Sequence, residues 1–547
     1  MNPRGTILVV AFLTTLSQVN AQDPSQDGQW TDPFPLPLIA IHAAMLPSGK
    51  VLLFSAEHGV PGIHGWLLNP SSIPTQGVAV DPDAIGLTNV PPPAGWNPDC
   101  AGHSFLPDGR LLVAGGTLSF NPLLGTRRAY IFDTWGEQWV RVADMASGRW
   151  YPTNITLPDG RVVTMSGVND SDGSINPDIE RWGQDGPDTW ELLGQKTVPY
   201  YPYLHVLPNG LVFRSGPDQQ TETFDPATAT WAPVAPTIFA GRYEAPSVLL
   251  PPTLDRVMLI GGFTGSGQPT SSVEIIDFAA TTPQWTNAAH MNSPRMEHNA
   301  VILPDGKVLV LGGQLNNGAM EGPALVPEVF DSDSGTWEEL APHQVPRMYH
   351  STAILWPDGR VLLAGADNQP SGEVFSPPYL YRGLRPVINS APKVMLYETS
   401  FNMEFTSASA ANTVTLIRMS SVTHSVNMGQ RYVRLAELNS GGGKVSVLAP
   451  LNANEAPPGY YMLFVVDDDG VPSEARIVRV TTSPTGDFDL DGDVDLADFA
   501  VFALCYGGPF NPPALTCPAG ADSDIDNDGD VDLADFGQFP LSLTGPF

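Results

Sequence analysis

The sequence predicts an all-β protein, and three observations predict it. A short turn phrase recurs at near-regular intervals through the first two thirds of the chain, and each copy is followed by a run of β-branched and apolar residues. Of 547 residues, 53 are Gly and 55 are Pro, together about a fifth of the chain. At 42% hydrophobic the chain is too apolar for a disordered acidic polypeptide, and so many turn formers leave little room for helix. The balance of 26 basic against 58 acidic residues gives a net charge of −32. That charge repels nucleic-acid phosphates and anionic lipid, which argues against both as partners.

The elements follow in chain order. Residues 1–21 read as a secretory signal, with Arg4 as the positive region, an apolar run from Ile7 to Leu16 and Val19-Asn20-Ala21 as the cleavage site. The run is too short to span a bilayer and no other stretch approaches the required length, so an exported protein without a membrane span is expected, extracellular, periplasmic or at the cell surface. Export permits disulfides, yet there are three cysteines. Cys505 and Cys517 are expected to pair. Cys100 then stands alone, as a small buried hydrophobe or as a residue with chemistry.

The turn phrase appears as Leu46-Pro47-Ser48-Gly49, Leu106-Pro107-Asp108-Gly109, Leu157-Pro158-Asp159-Gly160, Leu207-Pro208-Asn209-Gly210, Leu303-Pro304-Asp305-Gly306 and Trp356-Pro357-Asp358-Gly359. Pro presets φ and Gly supplies positive φ, which makes a hairpin turn. The strands that follow often end in a Gly pair, Gly115-Gly116 and Gly312-Gly313. A further unit lacks the phrase but keeps strand and pair, Arg256 to Gly262. Seven units at roughly 45 to 60 residues predict a seven-bladed propeller. Trp139, Trp190, Trp231, Trp285 and Trp337 are expected to pack between blades. The pattern resembles kelch repeats over about residues 35–375, and the propeller is placed at 35–380. Alternating runs between 386 and 482 predict a separate β-sandwich.

Residues at one repeat position form a ring around a propeller axis. The residue seven before the Pro of the turn is Cys100, Tyr151, Tyr201 and His350 in the second, third, fourth and seventh units. A thiol, phenols and an imidazole therefore converge near the axis. Imidazole and phenolate ligands suit a tetragonal Cu(II) site.

Four phrases go further: Asp99-Cys100-Ala101-Gly102-His103, Arg149-Trp150-Tyr151-Pro152, Arg347-Met348-Tyr349-His350 and Val422-Thr423-His424-Ser425-Val426-Asn427. In them the sequence closely resembles the copper radical oxidases, the galactose oxidase and glyoxal oxidase family, over about residues 35–482. The resemblance implies an Ig-like early-set sandwich at 386–482. It implies copper held by Tyr151, Tyr349, His350 and His424, and a thioether joining Cys100 to Tyr151. Tyr151 would carry the radical, and Tyr349 would be axial ligand and base. The implied reaction is oxidation of an aldehyde or primary alcohol with O2 reduced to H2O2. Ser166 to Asp170 holds no aromatic residue where galactose oxidase stacks a Trp over the radical, and Ile175 to Glu180 and Tyr201 to His205 look more like the glyoxal oxidase branch. The alternative is a non-catalytic kelch protein that binds glycans or a surface.

The tail holds thirteen Asp and no Lys or Arg from Pro484 onward. Asp487, Asp489, Asp491, Asp493, Asp495 and Asp498, with Gly492 at the sixth place, have the spacing of a calcium loop. Asp524, Asp526, Asp528, Asp530, Asp532 and Asp535 repeat it. A short apolar helix from Leu496 to Leu504 follows the first loop. The duplicated loop and helix, residues 486–547, resembles a dockerin, which implies a calcium-dependent module and a cohesin or cell-surface partner.

Overall fold

The computed structural model describes residues 23–539, apart from 57–61, 76–79, 184–188, 266, 318–321, 409–411, 442–443, 483–485, 489–493, 495, 510, 519–520, 522 and 526–529. The signal segment therefore lies outside the described residues. Among those described, nearly every regular element is a strand, and the α-helices are confined to one turn at Pro24–Asp27 and two in the tail, Leu496–Cys505 and Leu533–Gln538. This is an all-β fold. None of the described helices is long and apolar enough to cross a membrane.

Among the described residues, the strands between Gln29 and Ser376 assemble, with Ser421–Thr423, into seven antiparallel sheets of four or five strands and a two-stranded ribbon, Thr117–Phe120 with Leu123–Gly125. The innermost strands are β1 (His42–Met45), β2 (Gly102–Phe105), β3 (Thr153–Thr156), β4 (Tyr203–Val206), β5 (Ser247–Leu249), β6 (Asn299–Ile302) and β7 (Ser351–Leu355). All seven are buried. From β2 to β7 each touches the next, and β7 touches β1. The gap between β1 and β2 is filled from far along the chain: β8 (Ser421–Thr423) hydrogen-bonds to β1 in antiparallel register, His42 opposite Thr423, and touches β2. The ring is thus closed. Gln29–Trp30 pairs with Phe375 and Ser376 and ties the start of the described chain to the last sheet of the ring.

The turn phrase joins six of the seven inner strands to the second strand of their sheets, the strand Ser247–Leu249 being the exception. In one copy Gly109 N–H donates to Leu106 O at 3.0 Å and Leu106 N–H to Arg110 O at 2.9 Å. Gly is required there, with φ of 85° at Gly109. The Gly pairs have a different task, linking neighbouring sheets. Gly116 N–H donates to Arg149 O at 2.9 Å, Gly262 N–H to Arg295 O at 2.9 Å and Gly313 N–H to Arg347 O at 2.6 Å. A Cβ on Gly115 or Gly312 would meet the same carbonyl oxygens at 2.4 and 2.5 Å.

Residues 387–481 form two further sheets of four and five strands around an apolar core that includes Met403, Leu416, Leu463 and Val478. This unit packs against one face of the ring through a shared cluster of Val301, Leu355, Tyr379, Ile417, Tyr432 and Met462. In the tail, Phe488, Val494, Phe502, Val531 and Phe539 make a small core. Cys505 and Cys517 are joined by a disulfide.

Candidate active site

Just before six of the seven inner strands the chain takes the same unusual conformation. Cys100, Tyr151, Tyr201, Glu244, Glu297 and His350 all have left-handed φ, between 44° and 68°. A non-glycine residue held there costs on the order of 1 kcal/mol, and such residues concentrate at functional sites. Each occupies the place seven residues before a Pro: Pro107, Pro158, Pro208, Pro251, Pro304 and Pro357. The residues form a hydrogen-bonded rim. Tyr151 N–H donates to Cys100 O, Tyr201 N–H to Tyr151 O and Glu297 N–H to Glu244 O, each at 2.9 Å.

Buried arginines fix this conformation. Arg149, Arg242, Arg295 and Arg347 precede Tyr151, Glu244, Glu297 and His350 by two or three residues. They pair with Glu180, Glu274, Glu328 and Glu373 at 2.6, 2.9, 2.6 and 3.1 Å. Each guanidinium also donates to a strand-end carbonyl, as Arg242 does to Gly261 O at 2.9 Å and Arg347 to Gly365 O at 2.9 Å. The glutamates in turn accept backbone N–H bonds from the loop before the arginine, Ile238 N–H to Glu274 and Gln344 N–H to Glu373 among them. No charge in these networks is left unpaired, which is the condition for tolerating one in a core.

The five residues singled out by the sequence phrases come together at this rim. Tyr151 and Tyr349 hydrogen-bond through their hydroxyls. The Cys100 thiol lies 3.7 Å from His424 Nε2. One ligand atom each from Cys100, His350 and His424 lies within 4.8 Å of the others. The His350 and His424 rings are 4.7 Å apart and perpendicular, and the Tyr151 ring is 5.0 Å from that of His424. His424 reaches the rim because β8 inserts into the ring: the turn after β8 carries it, with φ of 47°. Of the twelve predicted calcium ligands, Asp489, Asp491, Asp493, Asp495, Asp526 and Asp528 lie outside the described residues. Carboxylates of Asp530, Asp532 and Asp535 gather within 4.8 Å of one another. Asp487, Asp498 and Asp524 are described, and Asp498 accepts a hydrogen bond from Phe488 N–H at 2.5 Å.

Other residues complete the site. His350 Nδ1 bonds to Asp367 Oδ1 at 2.5 Å, and His424 Nδ1 bonds to Thr423 Oγ1 at 2.6 Å and lies 3.3 Å from the Tyr201 hydroxyl. Engaging Nδ1 in this way orients an imidazole to offer Nε2 to a metal. Trp150 stacks on Tyr151, with ring centroids 3.6 Å apart and planes 22° from parallel. The stacking ring on the Tyr151 phenol thus comes from the preceding residue, while 166–170 holds no aromatic residue.

Burial governs the protonation of these groups. It pushes the Tyr151 and Tyr349 phenols and the Cys100 thiol well up, with the Asp99 charge adding to the last. A site that disfavours three anions this strongly suits a bound cation, which would offset their desolvation. Two imidazoles and two phenols are the donor types of a tetragonal Cu(II) centre. The residues present therefore fit copper.

Tyr151, Tyr349, His350 and His424 line a solvent-connected cavity of about 150 Å³. Its far wall is Glu244 and Glu297, with Tyr200, Tyr243 and Phe263 toward the outside. Burial pushes both carboxyl groups up from the ordinary range. Burial and the Glu244 carboxyl push Glu297 up to about 8. Both glutamates satisfy the seven-residue count from Pro251 and Pro304, so the repeat position could have found them. Asp367 has no such signal, because its role depends on a contact made only in the folded chain.

Comparison with known proteins agrees with this geometry. The glyoxal oxidase N-terminus family matches residues 95–376, and the galactose oxidase-like early set domain matches residues 385–480. The chain is similar to a galactose oxidase of Gibberella zeae, 27% identical over 497 residues, covering 83% of this chain and 71% of that protein. It is also similar to an aldehyde oxidase, GLOX, of Vitis pseudoreticulata, 30% identical over 434 residues, covering 70% and 81%. Among solved structures, a fungal alcohol oxidase of the AA5 family in complex with copper superposes with a TM-score of 0.73 at 25% identity, over 83% of this chain and all of that one. Two matched domains, a shared fold and a donor set suited to copper lead to one conclusion: the chain belongs to the galactose oxidase and glyoxal oxidase family of copper radical oxidases.

Proposed function

We propose that this chain oxidises an aldehyde hydrate or primary alcohol by two electrons and passes them to O2, acting more like glyoxal oxidase than galactose oxidase. The observation that carries the reading is the convergence of Cys100, Tyr151, Tyr349, His350 and His424 from four separated segments on one buried rim beside a cavity. Tyr151, Tyr349, His350 and His424 would hold copper. Bound copper supplies a second one-electron centre and a positive charge that favours phenolate.

The remaining roles belong to the chain. Asp367 and Thr423 hold the two imidazoles in one tautomer and orientation. Tyr349 Oη accepts the proton of the substrate hydroxyl, and Tyr151 accepts the hydrogen from carbon. For a hydrate the balance is RCH(OH)2 to RCOOH with release of two protons and two electrons, and O2 takes both pairs to become H2O2. Cys100 and Tyr151 form a thioether by the same accounting. The S–H bond and one ring C–H bond break, an S–C bond forms, and the two hydrogens leave to O2. Trp150, stacked on the ring that carries the unpaired electron, shields it from water.

The supporting framework is proposed in the same terms: a secretory signal at 1–21, a seven-bladed kelch-type propeller at 35–380, an Ig-like sandwich at 386–482 and a dockerin-like module at 486–547. Calcium bound by the repeated Asp loops would order that module for a cohesin or cell-surface partner, a reading supported by the clustered Asp530, Asp532 and Asp535. Purified protein loaded with Cu(II) should release H2O2 with glyoxal, methylglyoxal or small primary alcohols, and less with galactose. No H2O2 from any of them would leave glycan binding as the reading to pursue.

A further inference from the structure

Glu244 and Glu297 hold, on two consecutive sheets, the rim position that Cys100 and Tyr151 hold on theirs. They are half-buried and line the same cavity as Tyr151, Tyr349 and His350. Glu297 N–H donates to Glu244 O at 2.9 Å, which holds the two residues side by side on the rim. Glu244 Oε2 has no hydrogen-bond partner. The arginines two residues upstream do not neutralise this pair, for Arg242 and Arg295 turn outward to Glu274 and Glu328. Among the described residues that line the cavity there is no Lys or Arg.

We infer that Glu244 and Glu297 are the substrate-selecting wall of the site, accepting a hydrogen bond from a second hydroxyl of a neutral substrate and excluding substrates that carry a carboxylate. The inference rests on the oxidase reading above and names its substrate class. An aldehyde hydrate carries two hydroxyls on the reacting carbon. One gives its proton to Tyr349, and the other needs an acceptor on the same cavity, whose lining includes Glu244 and Glu297 beside Tyr349. A carboxylate on this wall repels a carboxylate on the substrate, and the described residues that line the cavity offer no Lys or Arg to neutralise one. Two like charges about 5 Å apart at an effective dielectric near 20 cost on the order of 100-fold in affinity.

Glyoxal and glyoxylate are two-carbon aldehydes of similar size, the first neutral and the second an anion, and they make the test. The copper-loaded wild type is expected to favour glyoxal over glyoxylate by about 100-fold in kcat/KM. Glu244→Gln and Glu297→Gln should each cut that preference at least about 10-fold, chiefly through a lower KM for glyoxylate, while the optical bands of the copper-loaded protein stay in place. Equal use of the two aldehydes by the wild type overturns the inference even if the variants fail to fold. So does a preference that neither variant moves. If the wild type releases no H2O2 from any substrate, the oxidase reading falls and this inference with it, an outcome distinct from an active enzyme that does not discriminate.

Discussion

On one side of the axis the rim carries Cys100, Tyr151 and Tyr201, with His350 and His424 close by; on the other it carries Glu244 and Glu297. The backbone is the same on both sides. Tyr151 and Glu297 share a left-handed φ, an N–H bond to the carbonyl of the preceding rim residue, and a buried arginine two residues upstream. What differs is the side chain: thiol, phenol and imidazole on one half, carboxyl groups on the other. The repeat supplies equivalent places, and under the proposed function substitution at them divides oxidising a substrate from choosing it. The outer residues follow the same rule, since Trp150 covers Tyr151 while Tyr243, one residue before Glu244, stacks with Phe263 at the cavity mouth.

The largest effect should separate the halves. Tyr151→Phe is expected to lower H2O2 release by at least about 10³-fold with little change in melting temperature, whereas Glu297→Gln should lower the rate with glyoxal by only about 10-fold. Steady-state rates on both variants, with melting curves beside them, check this. Comparable losses would erase the distinction.

The shared frame predicts a symmetric result. Arg242→Ala and Arg347→Ala each strand a buried glutamate, Glu274 or Glu373, and each should cost about 3–5 kcal/mol of stability, one on either half. Denaturant unfolding of the two variants measures it. A large loss at Arg347 with none at Arg242 would show that the halves are not built alike.

Asp367→Asn should act on the copper half alone. Loss of the carboxylate on His350 Nδ1 is expected to weaken copper binding by about 10- to 100-fold in a chelator competition, leaving the glyoxal to glyoxylate preference untouched.

The smallest effect is a pH slope from the carboxyl half. The folded-state value of Glu297, about 8, lies above the ordinary 4.5, so the folded protein holds a proton that the unfolded chain releases. That contribution is fully present below 4.5 and is lost as pH rises toward 8. The copper-free protein should lose stability over that window at up to about 1.4 kcal/mol per pH unit, and Glu297→Gln should flatten the slope. Unfolding midpoints at several pH values decide it.

The two halves were not equally legible in the sequence. Cys, Tyr and His are scarce and stand in phrases distinctive enough to place Cys100, Tyr151, Tyr349, His350 and His424 before any coordinates. Glutamate is common, and the fifth unit has exchanged its Asp-Gly turn for Leu250-Pro251-Pro252, which hides Glu244 unless the count is carried through Pro251. The Gly pairs could be seen as strand ends, yet their reason, close approach of the Arg149 or Arg347 carbonyl from the next sheet, exists only in the ring. Residues 166–170 supply no aromatic cover for the phenol. The left-handed turn at Tyr151 lays the neighbouring Trp150 ring against it instead. Delivery of His424 depends on β8 pairing with β1, residues almost four hundred positions apart, which no local pattern encodes.

Under the proposed function, Cys100 and Tyr151 together make a redox centre with copper. Peptide mass spectrometry of the purified protein after aerobic incubation with Cu(II) is the decisive measurement. Cys100 and Tyr151 peptides joined with loss of two hydrogens, dependent on copper and absent from Tyr151→Phe, are the expected result. A Cys100 that stays a free thiol in copper-loaded protein would contradict it.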